Sequence, residues 1–299
     1  ARLEEGIREM LSLAADSGFL HAEAGVEDLG SGERGNRNQA DIALTVHENE
    51  RVRIDEIRFR GNTYTRRHVL LRELPLKPGA PYSRKEVERI PDRLNRLGLL
   101  KAVSQPAIVL KNRRTVSLLI DVEEGNSTTF DGVVGYIPGA TVSEEGFFSG
   151  LVDLSLSNLF GTGRRFSVYW RKPDRFSEEF SLNYSEPWVL GYPVDAGLGL
   201  ERVVRDTTFI EWQYELNSRM RIRDNLYLVS RVHRRIALPD SASSRRERIT
   251  RNAVLNGEIG IEYDSRDYPV NPRTGIFYRN TYSYGLKENF GPSYLLNEQ

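Results

Sequence analysis

The sequence contains no cysteine among its 299 residues. This excludes disulfide frameworks, thiolate metal sites and cysteine nucleophiles from this stretch of chain. Histidine is also rare, with only His21, His47, His68 and His233. None of them has a ligand-type partner at the i, i+4 spacing of a helical metal site. We therefore expect no metal and no cofactor.

A net charge is also absent, since Lys plus Arg and Asp plus Glu both number 42. A nucleic-acid partner is therefore not expected, because such binders normally carry a basic excess. No stretch approaches the roughly 20 apolar residues of a membrane-spanning helix. A transmembrane β-barrel remains compatible with this composition, because alternate residues of its strands face a polar lumen.

Signatures of enzymes are missing as well. The sequence has no G-x-S-x-G elbow and no P-loop, and Gly161-Thr162-Gly163 lies between two strand-like runs, where its glycines serve a turn. Adjacent carboxylates such as Glu178-Glu179 point to opposite faces of a strand and cannot flank one bond. We expect no catalytic residues and no enzyme activity.

Residues 1–50 read as a partial α+β module. Apolar residues at helical spacing end at Gly18, where a glycine stops a helix. Two alternating, strand-like runs follow, separated by a Gly-rich loop at 30–36. The predicted order is helix, strand, loop, strand.

Residues 51–125 repeat this order with one more strand and one more helix in front. A phase slip at Asp55-Glu56 predicts a bulge in the first strand, and the first helix is expected over about Thr65–Leu74. The S-x-x-E pattern at Ser83–Glu86 predicts a capped second helix, in which Pro91 predicts a kink. The module is therefore β-α-α-β-β.

Beyond Gly125 the helical period gives way to strand-like alternation. The pattern predicts about nine or ten strands, mostly ~9–11 residues long, which is the length that a tilted strand needs to cross a bilayer. The connections at 137–147 and 238–250 fall on one side, and the second is long and charged. This favours an antiparallel transmembrane β-barrel, in which Trp170, Trp188 and Trp212 suit interfacial girdles.

Four segments carry a resemblance to a known family. Residues 57–103 resemble a polypeptide-transport-associated (POTRA) domain through IRFRGNTYTRRHVLLRELPLKPGAPYS and VERIPDRLNRLGLLKAV. Further on, SLSNLFGTGRRFSV, YSEPWVLGYP and EYDSRDYPVNPRTGIFY resemble strands and turns of the barrel in BamA-like outer-membrane assembly factors. That barrel has sixteen strands and a V-R-G-F/Y loop with no match here, so we expect a fragment that ends mid-barrel.

The resemblance implies domains, function and partners. Residues 1–50 would be a partial POTRA module, 51–125 the last complete POTRA domain, and 126–299 the N-terminal part of the barrel. The protein would lie in the bacterial outer membrane with POTRA modules in the periplasm, and would fold and insert unfolded β-barrel clients. Assembly lipoproteins, periplasmic chaperones and outer-membrane lipid or lipopolysaccharide would be further partners. We also considered the Arg-rich loop at 245–251 as a site for lipopolysaccharide phosphates.

The resemblance also implies site residues. The client-binding strand, or lateral gate, would comprise Thr129, Phe130, Gly132, Val133, Val134, Gly135 and Tyr136. Its glycines fit weak pairing, because glycine inside a strand weakens the ladder. A structural role would fall to Gly61, Asn62, Asp264, Arg266, Asp267, Pro272 and Gly275.

Three alternatives stay open at the level of sequence. The barrel could belong to a TamA-like or two-partner-secretion transporter with another cargo. It could anchor a patatin-like phospholipase, whose G-x-S-x-G lipase domain would precede these residues. It could also be a soluble β-rich binding protein or hydrolase.

Overall fold

All α-helices among the described residues lie before position 96, and strands dominate the rest. The computed structural model describes residues 2–33, 38–139, 145–205, 209–239, 251–267 and 271–290. It divides into two compact units, Ala1–Gly125 and Asn126–Gln299. Within the described ranges, no helix has the length and apolar character needed to cross a bilayer.

The first unit contains two successive groups of elements. Its elements are α1 (Arg2–Asp16), β1 (Glu23–Glu33), β2 (Asn38–His47), β3 (Arg53–Arg60), α2 (Arg67–Leu71), α3 (Arg84–Glu88), α4 (Ile90–Asn95), β4 (Leu100–Val103), β5 (Ala107–Asn112) and β6 (Thr115–Glu124). β1 and β2 form an antiparallel hairpin. In the second sheet β6 is central, with β3 parallel on one side and β4 and β5 antiparallel on the other.

The core of this unit lies between the second sheet and its helices. Alternate residues of β6 are buried, as a strand with one covered face requires. They pack with residues of β3 and of the helices, including Ile54, Ile57, Leu70, Ile90 and Leu94. Burying each such side chain contributes about 1.5–3 kcal/mol, so this core stabilises the unit by itself.

Several local predictions are confirmed. The Ser83 hydroxyl accepts a hydrogen bond from the Glu86 N–H at 3.4 Å, which caps α3. The second helix is interrupted at Arg89, with Pro91 in the first turn of α4. The register of β3 shifts between Ile54 and Glu56, where the bulge was expected.

Other local predictions need correction. The first helix of the second module was predicted over about 65–74 but spans Arg67–Leu71. It begins later because the backbone N–H groups just before it bond to a distant carboxylate, described below. Residues 30–33 of the predicted Gly-rich loop belong to β1, which runs to Glu33, and the rest of that predicted loop lies outside the described residues. The structure also adds the short strand β4, which lacks an alternating apolar pattern.

The two modules of the first unit are joined by polar contacts. The Asp16 carboxylate accepts a hydrogen bond from the Lys85 N–H at 2.6 Å, at the start of α3. The Val52 N–H donates to the Gly18 carbonyl oxygen at 2.7 Å, and Arg51 Nε donates to the Ser17 carbonyl oxygen at 3.1 Å. We call these residues the inter-module joint.

The second unit is one antiparallel sheet. Its strands are β7 (Thr128–Ile137), β8 (Phe147–Leu159), β9 (Arg164–Lys172), β10 (Glu178–Glu186), β11 (Val194–Arg205), β12 (Phe209–Arg223), β13 (Leu226–Pro239), β14 (Arg251–Asp264) and β15 (Phe277–Phe290). Their order in the sheet follows the chain. The described strands thus number nine, within the expected range, and many are longer than expected, up to 15 residues in β12.

The register separates the sheet into two chemically different faces. In one row across the strands, Leu182, Leu200 and Tyr214 are aligned. In the neighbouring row on the opposite face, Ser181, Glu201 and Gln213 are aligned. We call these the apolar face and the polar face. Alternation over nine strands is what a barrel wall between lipid and a polar lumen requires.

The tryptophans lie near the ends of this sheet. Trp170 and Trp212 belong to one row of the apolar face, connected through Phe180 and Arg202. Trp188 lies at the other end, next to the short 3-10 turn Val189–Gly191. This arrangement fits aromatic girdles at both ends of an apolar band.

The turn after β3 requires glycine at position 61. Gly61 has φ +99°, and a Cβ atom there would overlap the Val122 carbonyl oxygen. Gly79 has a comparable φ of +86°, with no atom within 4 Å of an added Cβ. Gly61→Ala should therefore lower the free energy of unfolding by about 2 kcal/mol more than Gly79→Ala, because it adds a clash to the backbone strain. Urea unfolding of the isolated Ala1–Gly125 unit measures the difference; equal losses would contradict the prediction.

Candidate functional site

The strand that opens the second unit, β7, is an edge strand in the described part of the chain. It pairs with β8 from Thr128↔Leu156 to Ile137↔Phe147, and no other described strand pairs with it. Its ten residues are all exposed. Every residue of the predicted client-binding strand lies in β7. Its unpaired side presents a row of backbone donors and acceptors that an added strand could bond.

Two features weaken the pairing of β7 with β8. Gly132 lies opposite Val152 and contributes no side-chain contact across the strands. Asp131 lies directly opposite Asp153, and like charges in that position destabilise a pair by up to about 1 kcal/mol. Neither aspartate forms a hydrogen bond or ion pair with a residue that the structure describes. β7 is therefore a loosely held edge.

At one end of the polar face, charges are paired across strands. Glu262 of β14 is only 2% exposed and lies between two arginines. Arg219 of β12 donates to it at 2.8 Å, and Arg279 of β15 donates at the same distance through Nε. The Arg219 guanidinium also stacks on the Tyr227 ring, 3.4 Å from its centroid. This network ties strands β12 to β15 together at one end of the sheet.

The turn between β14 and β15 contains the other predicted structural residues. Arg266 donates to both carboxylate oxygens of Asp264 at 2.9 Å. Asp267 accepts hydrogen bonds from the Arg273 and Thr274 N–H groups at 3.0 and 3.2 Å. Gly275 has φ +98°, and an added Cβ there would overlap the Ser265 carbonyl group. Pro272 lies in the same exposed turn, and residues 268–270 lie outside the described residues.

In the first unit, the Gly61-Asn62 turn is held by Glu124, a residue that the sequence reasoning missed. The Glu124 carboxylate accepts the N–H groups of Thr63 at 3.0 Å, Tyr64 at 3.0 Å and Thr65 at 2.5 Å. Asn62 Nδ2 donates to the Thr65 carbonyl oxygen at 3.1 Å. We call this set of contacts the Glu124 clamp; it joins the end of β6 to the turn after β3.

The clamp lowers the pKa of the Glu124 carboxyl group. Burial by itself would raise the pKa of Glu124, but the hydrogen bonds from Thr65, Tyr64 and Thr63 outweigh it and lower the pKa to about 2. A carboxylate that accepts several N–H groups is stabilised in its charged form. The clamp is therefore fully formed at neutral pH.

The second sheet of the first unit has two edges. On the β3 side, residues Gly79–Tyr82 bond to the strand's beginning and cover it, and the remainder carries charged side chains. On the other side, all residues of β5 are exposed, including Ile108 at 40%, Val109 at 51% and Leu110 at 57%. Its only described partner is β6. β5 is thus a mainly apolar edge, and its one charged residue, Lys111, forms an ion pair with Asp55 at 2.8 Å.

The histidine and acidic side chains of the described residues do not cluster as metal ligands. No group of three or more His, Cys, Asp or Glu side chains among them could hold a metal ion. Burial lowers the pKa of His68, and the nearby Arg72 and Arg66 add to this effect. His233 contacts Asn256 at 3.0 Å on the polar face. Neither histidine has a partner arrangement suited to proton transfer.

Sequence comparison finds two families along the chain. Residues 52–125 match POTRA, described as a surface antigen variable number repeat, and residues 158–294 match the Omp85 superfamily domain. The outer membrane protein assembly factor BamA of Nitratidesulfovibrio vulgaris is 23% identical over 291 residues, which is 91% of this chain and 34% of that protein. BamA of Neisseria meningitidis is 25% identical over 193 residues, covering 63% of this chain and 23% of that protein.

Solved structures show the same fold. BamA from Haemophilus ducreyi lacking POTRA domains 1–3 aligns with a TM-score of 0.59 and 18% identity, over 97% of this chain and 58% of that one. CdiB from Acinetobacter baumannii aligns with a TM-score of 0.55 and 14% identity, over 96% of this chain and 54% of that one. The chain spans about a quarter to a third of the length of the curated relatives it matches.

The Glu124 clamp generates a prediction with a defined pH window. The folded pKa is below the unfolded value of 4.5, so the stabilisation is fully present above about pH 4.5 and is lost as pH falls towards 2. After discounting for partial exposure, we expect Glu124→Gln to cost about 1–2 kcal/mol at pH 7 and much less near pH 2.5.

Urea unfolding of the Ala1–Gly125 unit at several pH values measures this. The control is Glu123→Gln, whose exposed side chain pairs only with Lys101 at 2.6 Å. That substitution should change stability by less than about 1 kcal/mol. A loss for Glu124→Gln that does not depend on pH would contradict the clamp.

Proposed function

The chain carries a POTRA domain and an Omp85 superfamily domain, and from this premise we propose that it inserts unfolded β-barrel clients into the outer membrane at β7. Its sheet lies in the outer membrane, and its POTRA domain lies in the periplasm. The chemistry of the proposed step is non-covalent, because strand addition forms only backbone hydrogen bonds. We accordingly propose that the protein is not an enzyme.

One observation supports this proposal most directly: β7 is an exposed edge strand. It is a membrane-length strand with ten exposed residues and a described partner on one side only. Unpaired N–H and C=O groups in hydrocarbon cost several kcal/mol each, so the free side of β7 strongly favours a strand partner. The glycines and the Asp131–Asp153 pair keep that edge from being rigidly held.

The edge strand β5 of the first unit is suited to bind client segments before insertion. β5 offers exposed backbone groups together with the apolar side chains of Ile108, Val109 and Leu110. Outer-membrane barrel strands alternate apolar and polar residues, so their apolar side chains match this surface. Main-chain bonding then gives affinity without selecting one sequence. Assembly lipoproteins and periplasmic chaperones would act at the same stage.

Site-directed cross-linking tests the insertion step. Because this stretch of chain has no cysteine, Val134→Cys places a single thiol in it, on the apolar face of β7. We expect the full-length protein with this thiol to form a disulfide with a client that carries one cysteine in its terminal strand and is stalled during insertion. Non-reducing gels measure the product.

The matched control is Leu182→Cys, on the apolar face of β10. β10 is hydrogen-bonded on both sides, by β9 and β11, and has no free edge. It should give no client cross-link. Equal cross-linking at both positions would indicate collision of an unfolded chain with the barrel and would refute strand addition at β7.

A second candidate function, which the sequence leaves open, is that of a transporter with a dedicated cargo. The two functions differ in client range. Depleting a general assembly factor should lower the levels of many outer-membrane barrel proteins, whereas depleting a specialised transporter should lower one or a few. Quantitative proteomics of the outer membrane after depletion distinguishes them.

A further inference from the structure

An arginine interrupts the apolar face of the sheet. Arg234 of β13 is exposed and lies between Tyr214 of β12 and Leu255 of β14 in the register. Its neighbours are accessible apolar groups: Val232 is 48% exposed, Tyr214 47% and Leu255 44%. Among the residues that the structure describes, Arg234 has no hydrogen-bond or ion-pair partner. A lipid-facing, unpaired cation of this kind needs a physical explanation.

The position of Arg234 along β13 determines which part of the membrane its guanidinium can reach. Arg234 lies five residues before the end of β13 at Pro239, the end that leads into the 240–250 connection. For a tilted strand, five residues correspond to roughly 12 Å along the membrane normal. A long arginine side chain can extend over part of that distance towards the interface, so its guanidinium can reach the headgroup region.

A second arginine lies on the same face and towards the same end. Arg202 of β11 donates to Glu178 at 3.1 Å, and its guanidinium lies 5.6 Å from the centre of the Trp212 ring. Trp212 is aligned with Ile236, one row outward from Arg234, and stacks on Tyr214 with ring centres 6.3 Å apart. We call Arg202, Trp212, Tyr214 and Arg234 the rim cluster.

The balance of charge around the rim cluster favours an anion. Glu178 pairs with Arg202, and Glu288 of β15 supplies another exposed carboxylate on this face, beyond β14. Arg251 of β14 adds a further cation two residues from Ala253, which is aligned with Ile236. Arg234 nevertheless remains without a partner in the described residues, and aromatic rings flank it.

We propose that the rim cluster binds a phosphate group of an outer-leaflet membrane lipid. Arg234 would donate charge-assisted hydrogen bonds to the phosphate, Arg202 would add a second cation, and the surrounding apolar residues would contact the acyl chains. The source is a lipid because the site opens onto the acyl region of the membrane. The proposal needs the membrane placement of the sheet but not the insertion of clients.

Lipid titration of the full-length protein in a neutral detergent tests the proposal. The probes are lipid A with its two phosphates, the same lipid after phosphate removal, and inorganic phosphate, and retained lipid is counted by native mass spectrometry. For Arg234→Gln we expect the half-saturating lipid A concentration to rise about tenfold, as loss of a charge-assisted hydrogen bond predicts. Arg202→Gln should weaken binding in the same direction.

The chain provides a matched control in Arg235, the next residue of β13. It carries the same charge and is exposed, but alternation places it on the polar face. Arg235→Gln should bind lipid A like the unmodified protein. If Arg234→Gln folds poorly, Arg234→Lys keeps the charge, and we expect it to bind two- to threefold more weakly because lysine lacks the planar fork.

Three outcomes would overturn the proposal. The first is that Arg234→Gln binds lipid A like the unmodified protein, or that Arg234→Lys does so where the glutamine variant folds poorly. The second is equal binding of the phosphate-free lipid. The third is Arg234-dependent saturation by inorganic phosphate alone, which would show an ion site without lipid. Loss of client insertion in the cross-linking experiment would leave these measurements unaffected.

Discussion

The second unit is governed by the need to pair every backbone N–H and C=O group where water is absent. In hydrocarbon, a strand meets this need only with a neighbour on each side. Strands β8 to β14 have two described neighbours each, and their ladders fix a two-residue alternation of side chains. The apolar and polar faces follow from that alternation. β7 and β15, the two edge strands of the described sheet, have a neighbour on one side only, so the same need remains unmet at both.

Some charged side chains of this sheet have ion-pair partners among the described residues, and others have none there. Glu262 is held by Arg219 and Arg279, and Arg231 lies 3.5 Å from Glu215 and 3.8 Å from Glu258. These pairs stabilise the wall and carry no free binding capacity. Asp131 with Asp153, and Arg234 by itself, have no such partner among the residues that the structure describes. In a folded protein, uncompensated charges in ordered strands mark positions where an interaction with another molecule can be favourable.

Much of this architecture could be predicted from the sequence because alternation is a local property. The strand series after Gly125, the bulge in β3 and the Ser83 cap each depend on residues close together in the chain. The Glu124 clamp could not be found in this way, since Glu124 lies about 60 positions from the N–H groups it binds. Likewise, the opposition of Asp131 and Asp153 becomes visible only with the register. The start of α2 was predicted too early for the same reason, because the distant carboxylate binds the N–H groups of the residues that precede this helix.

The inter-module joint has a consequence for how a long, unfolded chain would be held. Through the bond from the Lys85 N–H to Asp16, the α1–β1–β2 module and the β3–β6 module are tied at a defined site. A segment bound to an edge of one module is then confined near the edge of the other. Its second contact becomes intramolecular, so two weak contacts combine into a strong avidity without either edge binding tightly. Under the proposed function, each contact would also release on its own, and a client would be passed onward stepwise instead of being trapped.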